Sequence, residues 1–367
     1  MSEDEKYMRF AIGLGKRGLG RTSPNPPVGA VILDNGKIIG KGYHHKAGAP
    51  HAEIEAIEDA RANGYTDFSS ATMYVTLEPC CYFGKTPPCI DRIIQENFAR
   101  VVIGTTDPNP KVSGKSIKKL KSTGIDVSVG VLQKQAERLV EHFRIYITRN
   151  RAYLAAKFAQ SLDGKIAAQD GSSQWISSEK SLRFAHYLRD THDAVMIGVG
   201  TLKNDDPQLT VRYVEGRNPV RIVVGGNDII NGQHTLFGDN SAHTILISPR
   251  ENPLKPLPKS DKVEIWPAPS DERGYVPIRW ILEKLAERDI ISVLLEGGSK
   301  IFASAIAEDM VDRIYAIIAP KLIGSSGIDA IGAEVSTTIG DAIELEEVEY
   351  RRMGKDMILT GSMPNHK

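Results

Sequence analysis

All three cysteines of the chain lie in one short region, Cys80, Cys81 and Cys89 in EPCCYFGKTPPC, shortly after His51 and Glu53 in PHAEIEA. An odd, clustered set is not a disulfide framework and points to metal binding or catalysis. Zinc takes thiolate and imidazole ligands, and a catalytic zinc site uses three protein ligands with a fourth position kept for water. His51, Cys80 and Cys89 supply that number. Cys89 follows Pro88 at an expected helix start, where the helix dipole favours a thiolate. Glu53, two residues from His51, is then the candidate catalytic residue, shuttling protons beside the metal-held water. The alternative is a closed structural site that adds Cys81 as fourth ligand. Adjacent cysteines seldom reach one metal, and a structural site gives Glu53 no task.

The elements that must hold these residues read as an alternation. Tyr7, Met8, Phe10, Ala11 and Leu14 recur at helical spacing over 4–18. Gly13, Gly15 and Gly18 in that stretch match the dinucleotide fingerprint, but they end a helix and no strand precedes them, so the match fails on context. Apolar runs either side of Asn35-Gly36 predict a hairpin. Pro50 opens a helix to about Asn63. Strands are expected at 72–77, 101–105 and in IDVSVG, with helices at 88–97, 114–123 and 133–145. That order predicts a three-layer α/β unit with a mixed sheet. From about residue 150 the pattern restarts: strands in YLAAKFAQSLDG, DAVMIGVG, PVRIVVGG, TILIS, SVLLEGG and RIYAIIAP, and helices at 178–189, 278–288 and 299–307. Residues 250–277 hold six prolines and read as a long surface loop. With 367 residues, too many for one ordinary core, the chain divides into two α/β domains, 1–147 and 148–367.

Charge narrows the function. Forty-six basic residues balance 46 acidic ones, and no basic stripe is visible, which argues against a dedicated nucleic-acid binder. No apolar run is long enough to span a bilayer, and the acidic start MSEDEKYMRF lacks a signal-peptide core, so a cytoplasmic location without membrane contact is expected.

The pattern H-x-E, then P-C and a later cysteine, is the signature of the zinc nucleobase deaminases. Their usual P-C-x-x-C is widened here, with CYFGKTPP between Cys80 and Cys89. SPNPPVGAVI, GYHHKAGAPHAE, TLEPCCYFGKTPPC and DPNP resemble the deaminase half of the bifunctional riboflavin-biosynthesis deaminase–reductase family, and the resemblance runs through nearly the whole chain. Family members generally carry Ser where this chain has Cys81, which makes Cys81 a bystander. The resemblance implies a cytidine-deaminase-like α/β/α domain holding one Zn2+, which deaminates 2,5-diamino-6-ribosylamino-4(3H)-pyrimidinone 5′-phosphate. It places substrate contacts on Asn25, His44, Lys85 and Asn109. Asn25, His44 and Lys85 each have a plainer reading: a turn residue between prolines, a surface histidine and a loop charge. A nucleic-acid or free-nucleobase zinc deaminase with an accessory α/β domain is the alternative.

The second half is less specific on its own. LLEGGSK, residues 294–300, is a strand ending in Gly-Gly before a helix, suited to an anion at the helix N-terminus or simply to a tight turn. GVGTLKNDDPQLTVR reads as a Gly- and Asp-rich loop; Asp205 and Asp206 suit a turn or a polar contact better than a metal pair. These blocks resemble the pyrimidine reductase half of the same family. The resemblance implies a dihydrofolate-reductase-like fold, NADPH as cofactor and reduction of the ribosyl side chain to ribityl. Cofactor contacts then fall on Ala159, Trp175, Thr201, Asp205, Gly298, Ser299 and Lys300, and substrate contacts on Ser173, Arg189, Leu209, Arg212 and Glu296. Arg189 and Arg212 would grip the substrate phosphate with paired donors. The family also suggests a homo-oligomer, dimer or tetramer, acting on a phosphorylated pyrimidine rather than nucleic acid.

Overall fold

The computed structural model describes residues 1–84, 87–173, 175–225, 233–249, 260–333 and 335–364. It divides into two compact units, Met1–Asn150 and Arg151–Lys367. The join expected at 147/148 lies inside a helix that ends at Arg149, where Asn150 turns left-handed (φ 52°). Among the described residues no helix is long and apolar enough to cross a membrane.

The first unit runs α1 (Glu3–Gly15), β1 (Gly29–Asp34), β2 (Lys37–Tyr43), α2 (Ala52–Ala62), β3 (Thr72–Leu77), α3 (Cys89–Gln95), β4 (Arg100–Thr105), α4 (Lys115–Ser122), β5 (Asp126–Val129), α5 (Gln133–Leu139) and α6 (Glu141–Arg149). Its sheet has the order β2-β1-β3-β4-β5. β1 is antiparallel to β2 and β3, while β3, β4 and β5 are parallel. Alternation along β1 builds the layers. Ala30 and Ile32 join the core under α2, α3 and α4, whereas Val31 and Leu33 join the core under α1. The β1–β2 turn places Asn35 and Gly36 at φ 46° and 73°, as an Asn-Gly hairpin requires. The single helix expected at 133–145 is two, because Val140 (φ −105°, ψ 16°) leaves helical geometry between them.

The second unit runs β6 (Tyr153–Gln160), β7 (Lys165–Ala167), α7 (Glu179–Thr191), β8 (Ala194–Gly198), α8 (Val199–Asp205), β9 (Val220–Val224), α9 (Thr235–Gly238), β10 (Thr244–Pro249), β11 (Val263–Ala268), α10 (Ile278–Ala286), β12 (Ser292–Glu296), α11 (Ser299–Ala307), β13 (Arg313–Ile318), β14 (Ile328–Asp329), β15 (Glu346–Met353) and β16 (Asp356–Ser362). Nine strands form one sheet in the order β11-β10-β9-β8-β12-β6-β13-β16-β15. It is parallel from β11 to β13, and the final hairpin adds antiparallel strands. α10 and α11 cover one face through Ile281, Leu285 and Phe302; α8 and α9 cover the other through Leu202 and Phe237.

Three departures have physical reasons. α8 replaces part of the expected Gly- and Asp-rich loop, because buried Val199 and Leu202 give its short turn an apolar side. β11 lies inside the expected 250–277 loop; it is the outer strand of the sheet, where Pro267 removes no interior ladder bond, and Trp266 and Ala268 alternate into the core. Residues 250–259 of that loop lie outside the described residues. The hairpin β15–β16 carries no apolar alternation on its first strand, whose residues are nearly all exposed.

Candidate functional site

The packing of α2 on β2 decides where His51 and Glu53 stand. A Cβ at Gly40 would lie 2.2 Å from the Ala56 carbonyl oxygen, and one at Gly42 2.5 Å from that of Ala52. Two glycines on one face of the strand therefore let the helix backbone lie against it. His51 caps α2 in extended conformation (φ −78°, ψ 165°) without using its ring as the cap. That ring meets Cys80, on the segment leaving β3, and Cys89, the first residue of α3. His51 Nδ1 lies 3.2 Å from Cys89 Sγ and 3.5 Å from Cys80 Sγ, and the three ligand atoms lie within 4.8 Å of one another. Two zinc bonds of about 2.0–2.3 Å at a tetrahedral angle separate nitrogen from sulfur by about 3.5 Å, so the set fits zinc. The Cys89 thiol and backbone N–H, together with His51, hold Cys80 as the thiolate, well below the usual thiol range. Cys81 is not in the cluster; its Sγ faces the Lys111 carbonyl at 3.8 Å.

Glu53, on the first turn of α2, is 3% exposed. Burial pushes its carboxyl up to about 7, opposed by the charge of His51. His44 is also buried. Its Nδ1 donates to the Pro50 carbonyl at 3.0 Å, so its Nε2 accepts from Asn25 Nδ2 at 3.1 Å. Burial lowers its pKa, consistent with that neutral form. Its ring stands edge-on to His51, centroids 5.1 Å apart. The structure thus brings Asn25 and His44 to the metal cluster. Lys85 lies outside the described residues. Asn109 sits on the 107–117 segment, its Oδ1 accepting from Lys111 N at 3.0 Å.

Glu78 and Asp107 escaped the sequence reading. Glu78, two residues before Cys80 and 2% exposed, accepts from the backbone N–H groups of Asp107, Gly114, Ser116 and Ile117. Asp107, pushed up to about 6 mainly by burial, accepts from Asn109 N at 2.8 Å. An acid directly before Pro-Cys was the available signal.

In the second unit, Arg189 on α7 clasps Glu296 at the end of β12 with two bonds, Nε at 2.6 Å and Nη2 at 3.0 Å, while Nη1 donates to the Thr210 carbonyl. Three of its five N–H donors therefore hold protein groups. Burial would raise the Glu296 pKa, but Arg189 and Lys157, the latter at 3.6 Å, hold it at about 2. His186, one turn before Arg189, accepts the backbone N–H of Arg212 on Nδ1 at 2.9 Å. The Arg212 side chain is exposed and donates to Gln208 and Thr210. Leu209 is buried with φ 54°. Arg189, Glu296, Leu209 and Arg212 therefore share one neighbourhood, to which sequence reasoning had not added Lys157 or His186.

Gly297 and Gly298 have φ 75° and 85°, and a Cβ on Gly298 would lie 3.1 Å from Thr201 Oγ1. Gly298 caps α11 with no side-chain hydrogen bond, so the amides of Ser299 and Lys300 open a helix start suited to a cofactor phosphate. Asp205 ends α8. Asp206 accepts from Thr235 N and Oγ1. Ala159 pairs with Ile317 across β6 and β13. Ser173 and Trp175 lie on the turn after β7, with Trp175 60% exposed. Among the described residues no hydrogen bond links these three to the Arg189–Glu296 cluster.

Two family models match the chain: the cytidine and deoxycytidylate deaminase zinc-binding region over residues 1–105, and the RibD C-terminal domain over 152–359. The riboflavin biosynthesis protein RibD of Aquifex aeolicus is 42% identical over 359 residues, covering 97% of each chain. That of Escherichia coli is 34% identical, covering 97% of this chain and 98% of its own. The crystal structure of a diaminohydroxyphosphoribosylaminopyrimidine deaminase/5-amino-6-(5-phosphoribosylamino)uracil reductase from Thermotoga maritima is similar at 40% identity and a TM-score of 0.84, covering 98% of both chains.

Proposed function

This chain belongs to the riboflavin biosynthesis protein RibD family, and from that premise we propose how its residues divide the work of a bifunctional, zinc- and NADPH-dependent deaminase and reductase. The deaminase expected in residues 1–147 takes the first unit, to Asn150, and the reductase expected in 148–367 the second, from Arg151. The observation that carries the first half is the meeting of His51, Cys80 and Cys89 ligand atoms within 4.8 Å beside a buried carboxylate.

His51, Cys80 and Cys89 hold the zinc, which supplies a water acidic enough to lose its proton near neutral pH. Glu53 would take that proton on its carboxylate and give it to the pyrimidine ring nitrogen. It would then carry the second proton of the attacking water to the departing amine, so that oxygen replaces nitrogen on the ring carbon and ammonia leaves. Asn25 and His44 read the ring edge, with Asn109 and Lys85 completing the substrate contacts. The substrate is 2,5-diamino-6-ribosylamino-4(3H)-pyrimidinone 5′-phosphate. In the reductase, NADPH supplies the hydride that converts the ribosyl side chain to ribityl, giving 5-amino-6-ribitylamino-uracil 5′-phosphate. Ala159, Trp175, Thr201, Asp205 and the Gly298–Lys300 turn hold the cofactor. Ser173, Leu209 and Arg212 meet substrate, and Arg189 orients Glu296 toward it. The protein acts in the cytoplasm as a homo-oligomer, which light scattering would test.

The deciding assay follows ammonia and NADPH oxidation after chelation and zinc re-addition. Ammonia release should need zinc but not NADPH. NADPH oxidation should proceed without zinc when deaminated substrate is supplied. Undiminished ammonia release from metal-free protein would sink the zinc assignment.

A further inference from the structure

Two segments flank the deaminase cluster, and one buried carboxylate joins them. The first is Glu78-Pro79-Cys80, leaving β3 and ending in a proposed zinc ligand. The second is 107–117, which carries Asn109 and enters α4. Glu78 Oε2 accepts from Asp107 N at 3.3 Å and Gly114 N at 2.9 Å; Oε1 accepts from Ser116 N at 3.1 Å and Ile117 N at 3.3 Å. Three of these donors belong to the cap and first turn of α4, where the helix dipole favours an anion. Ser116 Oγ adds a second strap, donating to the Pro79 carbonyl at 2.6 Å. From Asp107, the tie continues through its Oδ1 to Asn109 N at 2.8 Å.

We infer that Glu78 is a positioning residue for deamination: its carboxylate holds the Asn109-bearing segment at a set distance from the Cys80 ligand arm. Each oxygen meets two donors, so only a group with two acceptor ends satisfies the site. An amide places an NH2 against two backbone N–H groups whichever way it turns. The inference rests on the deaminase reading of the His51–Cys80–Cys89 site.

The test is Glu78→Gln in the full zinc-loaded chain, assayed for ammonia release from the diaminopyrimidine phosphate. The loss of charge-assisted bonds should raise KM by about ten- to a hundredfold. Zinc should stay at one per chain, kcat should stay within about threefold of parent, and reduction of deaminated substrate should be unchanged, because the displaced group binds substrate rather than transferring the proton. Ser116→Ala, which cuts only the second strap, should move KM the same way by a smaller factor and keeps the test open should Glu78→Gln fail to fold. Parent-like KM in the soluble Glu78→Gln chain overturns the inference. So does loss of zinc together with kcat in either variant, which is what a merely structural role gives. Failure of the underlying reading looks different: the parent chain itself would release no ammonia.

Discussion

In the first unit the candidate ligating atoms come from three points between His51 and Cys89, and their types and mutual distances fit zinc. In the second, the residues expected to meet cofactor and substrate run from Ala159 to Lys300, and the features that mark them are an ion pair, two glycines and a helix start. The difference follows from the chemistry. A metal concentrates function on few strong ligands, each of a distinctive type. Hydride transfer from a large cofactor needs many weak contacts spread over its length. One altered residue should therefore silence the first site while leaving its fold alone, whereas in the second the largest losses should come through stability.

The largest expected effect tests that contrast at its sharpest. Glu53→Gln should lower the deamination rate by about 10²- to 10⁴-fold, the usual worth of a positioned proton-transfer group. Zinc should stay at one per chain, and reduction of deaminated substrate should be untouched. Ammonia release at the parent rate would remove Glu53 from its role. Next comes Arg189→Ala. It leaves the Glu296 carboxylate, whose side chain is 9% exposed, with Lys157 as its remaining ion-pair partner among the described residues. Breaking a buried pair from one side costs about 3–5 kcal/mol. Hydrogen exchange should report that loss in β12 and α7, while ammonia release persists. Equal destabilisation of both units would break the comparison.

How much of this the sequence disclosed depends on the range of the interactions involved. The Asn35-Gly36 turn and the helix at 299–307 are local and were legible. The meeting of His51, Cys80 and Cys89 was legible because thiols are few and chemically marked. Glu78 was not, because its meaning lies in four amides from the 107–117 segment, brought near only by parallel pairing of β3 and β4. Arg189 read as a helix-surface charge or a phosphate ligand, since its partner Glu296 is 107 residues away. β11 hid behind prolines that only an edge strand tolerates, and β15 behind a charged surface that only its pairing with β16 makes a strand.

Acid should separate the units by a smaller amount. Burial holds His186 down to about 4 from its ordinary 6.5. The unfolded chain therefore binds that proton first, and stability present above about pH 6.5 is lost as pH falls towards 4. Glu296 contributes above about 4.5, and its share is lost towards about 2, a total of the order of 3 kcal/mol. Thermal unfolding of the reductase unit should thus weaken in two successive windows. His192, also buried and held low, acts in the upper one. In His186→Asn, which cannot titrate and keeps an acceptor near the Nδ1 position, the upper step should shrink. An unchanged upper step would assign it elsewhere.

The smallest expected effect settles the remaining choice about the metal. A closed four-ligand site needs Cys81, and the three-ligand site does not. The Cys81 thiol makes one long contact with a carbonyl and packs partly against the sheet core. Serine preserves its size and can donate to the same oxygen, so Cys81→Ser should change stability by no more than about 0.5 kcal/mol. Zinc content and kcat/KM for deamination should match the parent, and the cobalt-substituted protein should keep its ligand-field spectrum. Loss of zinc from this variant would mean that the thiol swings onto the metal, filling the position that the attacking water requires, and the first unit would then have to be read as a structural zinc module.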